Sequence, residues 1–292
     1  MLIFSPEIPM SLEEFRLLRD FVYQYCGLHF SEDSRYILEK RLGRRLQHLR
    51  LNNYKDYYYY LRYNAARDQE LTELINLLTT NETYFFREEF QLRSFSEEIV
   101  PEICRRKQEK GERRIRIWSA GCSTGEEPYT IAMLLLENRA VQGWQIEIIG
   151  TDISQRVLQV ARKGLYGESS FRSTPERYRQ RHFRPQDGKW LIDDSVKRLV
   201  TISHLNLFDR PRVALLGRMD IIFCRNVIIY FDLPAKKRVV ETFYQRLNPG
   251  GYLLLGHSES LMNITTLYEL KHLQHDMVYQ KPLDDLPGGL KP

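Results

Sequence analysis

Leu12, Phe15, Leu18 and Val22 recur at intervals of three and four residues, which places them on one face of an α-helix. Ser11 stands just ahead of them as an N-cap. A second amphipathic stretch covers 34 to 50. Leu38, Leu42, Leu46 and Leu49 form its stripe, and Lys40, Arg41, Arg44, Arg45 and His48 crowd the adjoining arc. Tyr54, Tyr57, Tyr58, Tyr59, Tyr60 and Tyr63 belong to a following helical segment, where they read as packing or interface residues. Residues 11 to 80 are therefore predicted to be helical.

From 115 onward the pattern changes. Short apolar runs near 115–120, 146–151, 199–203, 220–224 and 251–256 read as strands. Helical patterns near 126–138, 154–163 and 234–247 lie among them, so an α/β body on a parallel sheet is expected. Asn248-Pro-Gly-Gly251 stops the last helix. His182 to Ile202 breaks the alternation: Arg184-Pro-Gln-Asp-Gly188 reads as a turn and Trp190–Asp193 as half a hairpin. A small antiparallel insert at about 182–202 is the expectation. Leu267 to Lys281 should complete the sheet with an antiparallel pair, and the end of the chain, with Gly288 and Gly289, should fray. The expected divisions are 1–80 for a helical domain, 81–112 for a linker and connecting helix, and 113–292 for the α/β domain.

Candidate chemistry gathers at the first strand-to-helix crossing, Ile115-Arg-Ile-Trp-Ser-Ala-Gly-Cys-Ser-Thr-Gly-Glu-Glu-Pro-Tyr129. Gly121 and Gly125 let backbone approach a ligand at the end of a parallel sheet. The next strand ends on Asp152, an acid placed to receive a ribose. A nucleoside-type cofactor follows from the pair. A dinucleotide needs a third glycine and a helix start open to pyrophosphate. Here the third glycine is missing, and Glu126 and Glu127 sit where the phosphates would arrive. Those acids suit S-adenosylmethionine, which carries an ammonium and a sulfonium and no phosphate. The plain alternative is a tight βα turn whose acids answer the helix dipole.

Composition narrows the class. The 292 residues are 42% hydrophobic with a mean hydropathy of -0.46, as in a soluble globular protein. No apolar run reaches the roughly 20 residues of a membrane span. The start of the chain lacks the pattern of a signal peptide. Cys26, Cys104, Cys122 and Cys224 are scattered, so neither disulfides nor a metal site is expected, in keeping with a reducing cytoplasm. The net charge of +5, from 43 basic and 38 acidic residues, is compatible with an acidic partner without indicating nucleic acid. Glu39 is the only acid between Arg35 and Arg50. That arc is either a solvated face or a docking face for an acidic partner.

Three further segments join the glycine loop: Asn81–Arg87, Asn206–Asp209 and Cys224–Phe231. Together NETYFFRE, WSAGCSTGEEPYT, GTDIS, NLFD, FCRNVIIYF and LNPGGYLLLGHSES resemble the chemotaxis receptor methyltransferase (CheR) family, over nearly the whole chain. The resemblance implies a cytoplasmic two-domain enzyme: an all-helical N-terminal domain and a Rossmann-like S-adenosylmethionine-dependent methyltransferase domain with a small β insert. It implies methyl transfer to glutamate γ-carboxylates on the cytoplasmic helical region of chemoreceptors, giving a methyl ester and S-adenosylhomocysteine. By the family pattern Asn81, Thr83 and Arg87 reach the cofactor from the linker, and Gly121 lies in its loop. Glu126 contacts its amino-acid end and Asp152 its ribose. Asn206, Leu207, Arg225 and Asn226 border its adenosine. Arg87 and Tyr230 lie near the departing methyl group as the catalytic pair. Lys40, Arg41, Arg44 and Arg45 would face the acidic receptor helices.

Simple chemistry accompanies that assignment. A glutamate of ordinary pKa, about 4.3, is already ionised at neutral pH and needs no strong base. Catalysis reduces to alignment and exclusion of water. Arg87 is expected to orient the carboxylate, and Tyr230 to donate to its non-attacking oxygen. Many methyltransferases carry an acid at the end of the first strand; Ser119 stands there instead, and Glu126 is expected to take its role. Two other readings stay open. A nucleic-acid methyltransferase of the adenine type would present an Asn/Asp-Pro-Pro-aromatic motif, where this chain has Arg225-Asn-Val-Ile-Ile-Tyr230. A binding module would hold the cofactor without turnover. The turn Pro185–Gly188 is short for gripping a tethered receptor peptide, so none is expected.

Overall fold

The computed structural model describes residues 8–283. Gly288 and Gly289, expected to fray, lie outside them. The chain separates into two units. One runs to Thr80 and includes Tyr230–Asp232; the other holds 81–229 and the chain from Leu233.

Among the described residues the first unit has four α-helices: α1 (Leu12–Cys26), α2 (Arg35–Leu49), α3 (Tyr54–Tyr63) and α4 (Arg67–Leu78). Ser11 caps α1 reciprocally: its hydroxyl accepts from the Glu14 amide, and the Glu14 carboxylate accepts from the Ser11 amide at 2.8 Å. Phe15, Leu18 and Val22 are buried, as are Leu38, Leu42 and Leu46 of α2. Leu49, the last residue of that stripe, is only half-buried at its helix end. The tyrosines of α3 divide by helical phase: Tyr54 and Tyr57 are buried, whereas Tyr59 and Tyr63 are exposed. Tyr230–Asp232 joins this unit through a Leu28–Phe231 bridge and a Tyr23 hydroxyl donating to Asp232 at 3.1 Å.

The second unit opens with α5 (Glu89–Ser94) and α6 (Val100–Gln108), then runs β1 (Arg114–Ala120), α7 (Glu126–Glu137), β2 (Gln145–Asp152) and α8 (Gln155–Lys163). It continues with β3 (Leu165–Tyr166), α9 (Glu176–His182), β4 (Phe183–Gln186), β5 (Lys189–Ile192), α10 (Asp194–Lys197) and β6 (Val200–His204). Last come α11 (Arg210–Ala214), β7 (Met219–Cys224), α12 (Leu233–Arg246), β8 (Leu247–Leu255), β9 (Glu269–His272) and β10 (Met277–Gln280). The main sheet has the order β6-β2-β1-β7-β8-β10-β9. Its first five strands are parallel, and β10 and β9 close it antiparallel, as the alternation predicted. No described helix is long and apolar enough to cross a membrane.

Two details depart from the sequence reading. The small antiparallel sheet has the order β3-β5-β4, so it recruits Leu165–Tyr166 from well before the expected insert. Val200–His204, the strand expected near 199–203, lies in the main sheet beside β2. Asn248–Gly251 does not merely precede the last parallel strand. Met219 faces Leu247 and Ile221 faces Tyr252, so the tetrapeptide bulges opposite Asp220, whose carboxylate accepts from the Asn248 amide group at 2.9 Å.

One cross-strand cluster carries a pH prediction. Glu147 on β2 stands opposite Arg116 on β1 and accepts from its Nε and Nη2 at 3.0 and 2.9 Å, with Arg114 as a second partner. Hydrogen bonding to Arg116 outweighs partial burial and holds the Glu147 carboxyl down at about 2. A depressed carboxyl stabilises the fold above its unfolded pKa, and that contribution is lost as pH falls toward the folded value. Glu147→Gln should therefore destabilise the protein at pH 7, and the difference from wild type should shrink between about pH 4 and pH 2. Urea titrations of both proteins across that range check it; a pH-independent difference would count against the ion pairs.

Candidate cofactor site

The loop between β1 and α7 folds back on the neighbouring strand. The amides of Gly121 and Cys122 both donate to the Thr151 carbonyl, at 2.8 and 2.9 Å. Gly121 has φ +79, and a Cβ there would lie 2.4 Å from Val227 Cγ2, on the loop after β7. Gly125, at φ +95, begins α7 where a Cβ would lie 2.8 Å from Ala161. Both glycines are thus required by backbone conformation and by close approach.

The two acids after this loop, Glu126 buried and Glu127 half-buried, are differently engaged. Glu126 accepts from the hydroxyls of Thr124 at 2.6 Å and Ser170 at 3.0 Å, and burial pushes its carboxyl up. Glu127 accepts from the Ser119 hydroxyl at 2.7 Å and lies 3.5 Å from the Arg225 guanidinium. Burial pushes its carboxyl up too, and Arg225 opposes the shift. The Ser119 hydroxyl thus brings the Glu127 carboxylate to the end of β1, a pairing the sequence reading did not include. Each hydroxyl selects one acid.

Asp152 ends β2 and is 8% exposed. One carboxylate oxygen accepts from the Ser123 amide and the other from the Ser154 amide, both at 2.9 Å. Burial pushes the carboxyl up while these amides favour its ionised form. The Ile153 amide adds to them, and of the carboxylate's roughly four lone-pair sites one is left for a hydroxyl of a vicinal diol.

The linker reaches the same end of the sheet. The Asn81 carbonyl accepts from the Ser123 hydroxyl at 3.0 Å, and Thr83 is half-buried. Phe85 anchors the segment among Tyr166, Phe171 and Phe183, with ring centroids 4.8 to 5.2 Å apart, and Phe86 packs on Tyr178. Arg87 sits between two non-glycine residues in left-handed conformation, Phe86 at φ +59 and Glu88 at φ +60. Such backbone costs on the order of 1–3 kcal/mol per residue and persists only where its surroundings impose it. The anchors at Phe85 and Phe86 supply that constraint, and Arg87 stays half-buried 5.6 Å from the Tyr84 ring.

Arg225 lies beneath this segment. Its Nη2 donates to the Arg87 carbonyl at 2.6 Å and its Nε lies 3.2 Å from Glu88. It braces the linker from below, a contact that sequence adjacency to Asn226 did not reveal. Asn226 is left-handed at φ +58, and its side-chain oxygen is buried with no hydrogen-bond partner among the described residues. The side chain of Asn206 accepts from the Phe208 amide at 2.9 Å and Leu207 is half-buried. Tyr230, 37% exposed, ends the short turn Ile228–Tyr230 and groups with the first unit.

Lys40, Arg41, Arg44 and Arg45 of α2 do not form one free face. Arg45 grips Glu70, which is 2% exposed, through Nε at 2.8 Å and through Nη2, and the Tyr57 hydroxyl donates to the same carboxylate at 2.7 Å. Arg41 donates to the Leu78 carbonyl at 2.6 Å. Lys40 and Arg44 remain exposed.

Two shielded acids at the helix start, a carboxylate for a diol and an orphaned acceptor at Asn226 fit a cationic nucleoside better than a phosphorylated one. They define the class of S-adenosylmethionine-dependent methyltransferases. The chain belongs to the CheR methyltransferase family: residues 81–277 match its SAM binding domain and residues 13–79 its all-alpha domain. It is 41% identical to chemotaxis protein methyltransferase 2 of Vibrio cholerae, over 94% of this chain and 95% of that one. It is 36% identical to the chemotaxis protein methyltransferase of Vibrio parahaemolyticus, over 94% and 98% of the two chains. The corresponding protein of Borreliella burgdorferi is 36% identical over 88% and 92%.

Proposed function

We propose that this methyltransferase esterifies glutamate side chains on the cytoplasmic helical region of chemoreceptors, as an enzyme of the cytoplasm. The arrangement around Arg87 carries the reading: a guanidinium on a conformationally constrained segment, beside a site for a methyl donor, suits a carboxylate nucleophile. The names of the relatives support it. S-Adenosylmethionine, when bound, supplies an activated methyl group. Asp152 accepts from one of its ribose hydroxyls, Glu126 and Glu127 answer its ammonium, and Asn206, Leu207 and Asn226 border the nucleoside. Arg87 holds one oxygen of the glutamate while the other attacks, and Tyr230 donates to the held oxygen. The carboxylate is consumed as an ester, so no proton needs to be removed.

Labelled methyl donor, offered receptor cytoplasmic fragments or nucleic acid, tests the reading. Label should enter the receptor as an alkali-labile ester. Incorporation into nucleic acid, or an alkali-stable product, would overturn it.

The partner is proposed to be an acidic helical surface that meets Lys40 and Arg44, the two exposed cations of the arc Lys40, Arg41, Arg44 and Arg45. Reversing both to Glu should raise the receptor KM by about five- to thirtyfold at low salt, from roughly 0.5–1 kcal/mol for each exposed charge. S-Adenosylhomocysteine affinity should stay unchanged. The effect should shrink as salt shortens the Debye length below its physiological value of about 8 Å. Unchanged receptor kinetics at low salt would make this arc an ordinary solvated face.

A further inference from the structure

The motif ending β8, Gly256-His-Ser-Glu259, has no part in the cofactor contacts described above. Its acid nevertheless holds two loops together. Glu259 Oε2 accepts from the amides of Asn226 and Gly256, at 2.7 and 2.8 Å. Oε1 accepts from those of Val227 and Ile229, at 3.0 and 3.2 Å. The donors come from the ends of β7 and β8, neighbours that pair through Cys224 and Leu255. Four N–H groups directed at one place form an anion nest that no neutral side chain could satisfy as fully. A carboxylate offers about four lone-pair sites, and here each has a donor.

We infer that Glu259 is a positioning residue for methyl transfer: its carboxylate fixes the loop after β7, which carries Asn226 and leads into Tyr230, against the glycine loop. The inference rests on the reading of the site given above. With its acceptor sites occupied, Glu259 is unsuited to act as nucleophile or base, so its effect passes through the backbone it holds. Two observations connect that backbone to the site. Asn226 is held left-handed at the point where its buried side-chain oxygen awaits a donor. Val227 packs where a Gly121 Cβ would fall, so the loop after β7 abuts the cofactor loop directly. Gly256 completes the fit, because a Cβ there would lie 3.0 Å from both the Asn226 side-chain Nδ2 and the Glu259 carboxylate.

The test is a series: Glu259→Gln, Glu259→Ala and Gly256→Ala. Gln keeps one acceptor oxygen, Ala keeps none, and Gly256→Ala crowds the nest without altering charge. Single-turnover methyl transfer to a receptor fragment is measured at saturating donor, per S-adenosylhomocysteine-binding site. It should fall about tenfold for Gln and Gly256→Ala and about hundredfold for Ala, the scale of a small misplacement in an aligned transfer. The amides of Asn226, Val227, Ile229 and Gly256 should exchange hydrogen faster in the same order, with protection elsewhere retained. Wild-type rates per site, even with a lower Tm, would overturn the inference and make Glu259 merely structural. So would unchanged exchange at the four amides. If the wild-type protein methylates no receptor fragment, the proposed substrate fails, and amide exchange still decides whether Glu259 fixes the loop.

Discussion

Asp152→Ala is expected to weaken S-adenosylhomocysteine binding by about 1.5–3 kcal/mol, or roughly 10- to 150-fold, the range for hydrogen bonds to a charged group. The carboxylate lies buried at the end of β2, with the Ser123 amide on one oxygen and the Ser154 amide on the other. Those amides make the variant costly in a second way. Ser123 and Ser154 each lose their acceptor, and an unsatisfied buried donor costs about 1–3 kcal/mol. The two effects separate by measurement: thermal unfolding without ligand reads the lost amide partners, and calorimetry on the folded fraction reads the lost diol. Asp152→Asn keeps one acceptor oxygen and turns the other position into a donor facing an amide. It should lie between wild type and Ala in stability. A folded Asp152→Ala protein with unchanged affinity would remove Asp152 from the ribose.

How much of this site could be read beforehand depended on the range of the forces involved. Gly121 and Gly125 were legible because a strand-to-helix crossing imposes left-handed backbone locally, whatever lies beyond it. The parallel sheet was legible because strands buried on both faces leave short apolar runs. The pairing of Glu127 with Ser119 was not legible, because the two become adjacent only after the loop turns back. Arg45 was misread for a similar reason: an arginine on a basic arc looks the same whether it faces water or an acid 25 positions away. Leu165–Tyr166 is too short to show any period, so its recruitment into the small sheet has no local signal. Nor do Phe86 and Glu88 announce their left-handed backbone, since neither is a residue type that favours it. Glu259 looks like any loop acid until its four amides are counted. What escaped the sequence was pairing at a distance, and that is where the site is supported.

The largest loss of stability is expected in the first unit, from Glu70→Ala. This carboxylate is buried, and Arg45 and the Tyr57 hydroxyl both donate to it. Removing one member of a buried pair leaves the other charge uncompensated, typically at 3–5 kcal/mol. The Arg45 side chain is 20% exposed and can recover some hydration, so about 3 kcal/mol, the low end of that range, is expected. Replacing both partners by apolar residues, Arg45→Met with Glu70→Leu, should restore most of the loss, because no lone buried charge remains. Trp118, Trp144 and Trp190 all belong to the second unit, so their fluorescence would miss the event. Urea unfolding followed by hydrogen exchange on α2 and α4 reads it directly. A single Glu70→Ala variant as stable as wild type would show that the pair contributes nothing. The same energetics govern how the docking face must be tested. Arg45→Glu would set two carboxylates against each other inside the unit and abolish receptor methylation by unfolding it, imitating the loss of a docking residue. Salt distinguishes the two cases: the defect from Lys40 and Arg44 should fade as ionic strength rises, whereas a unit opened at Arg45 should stay inactive.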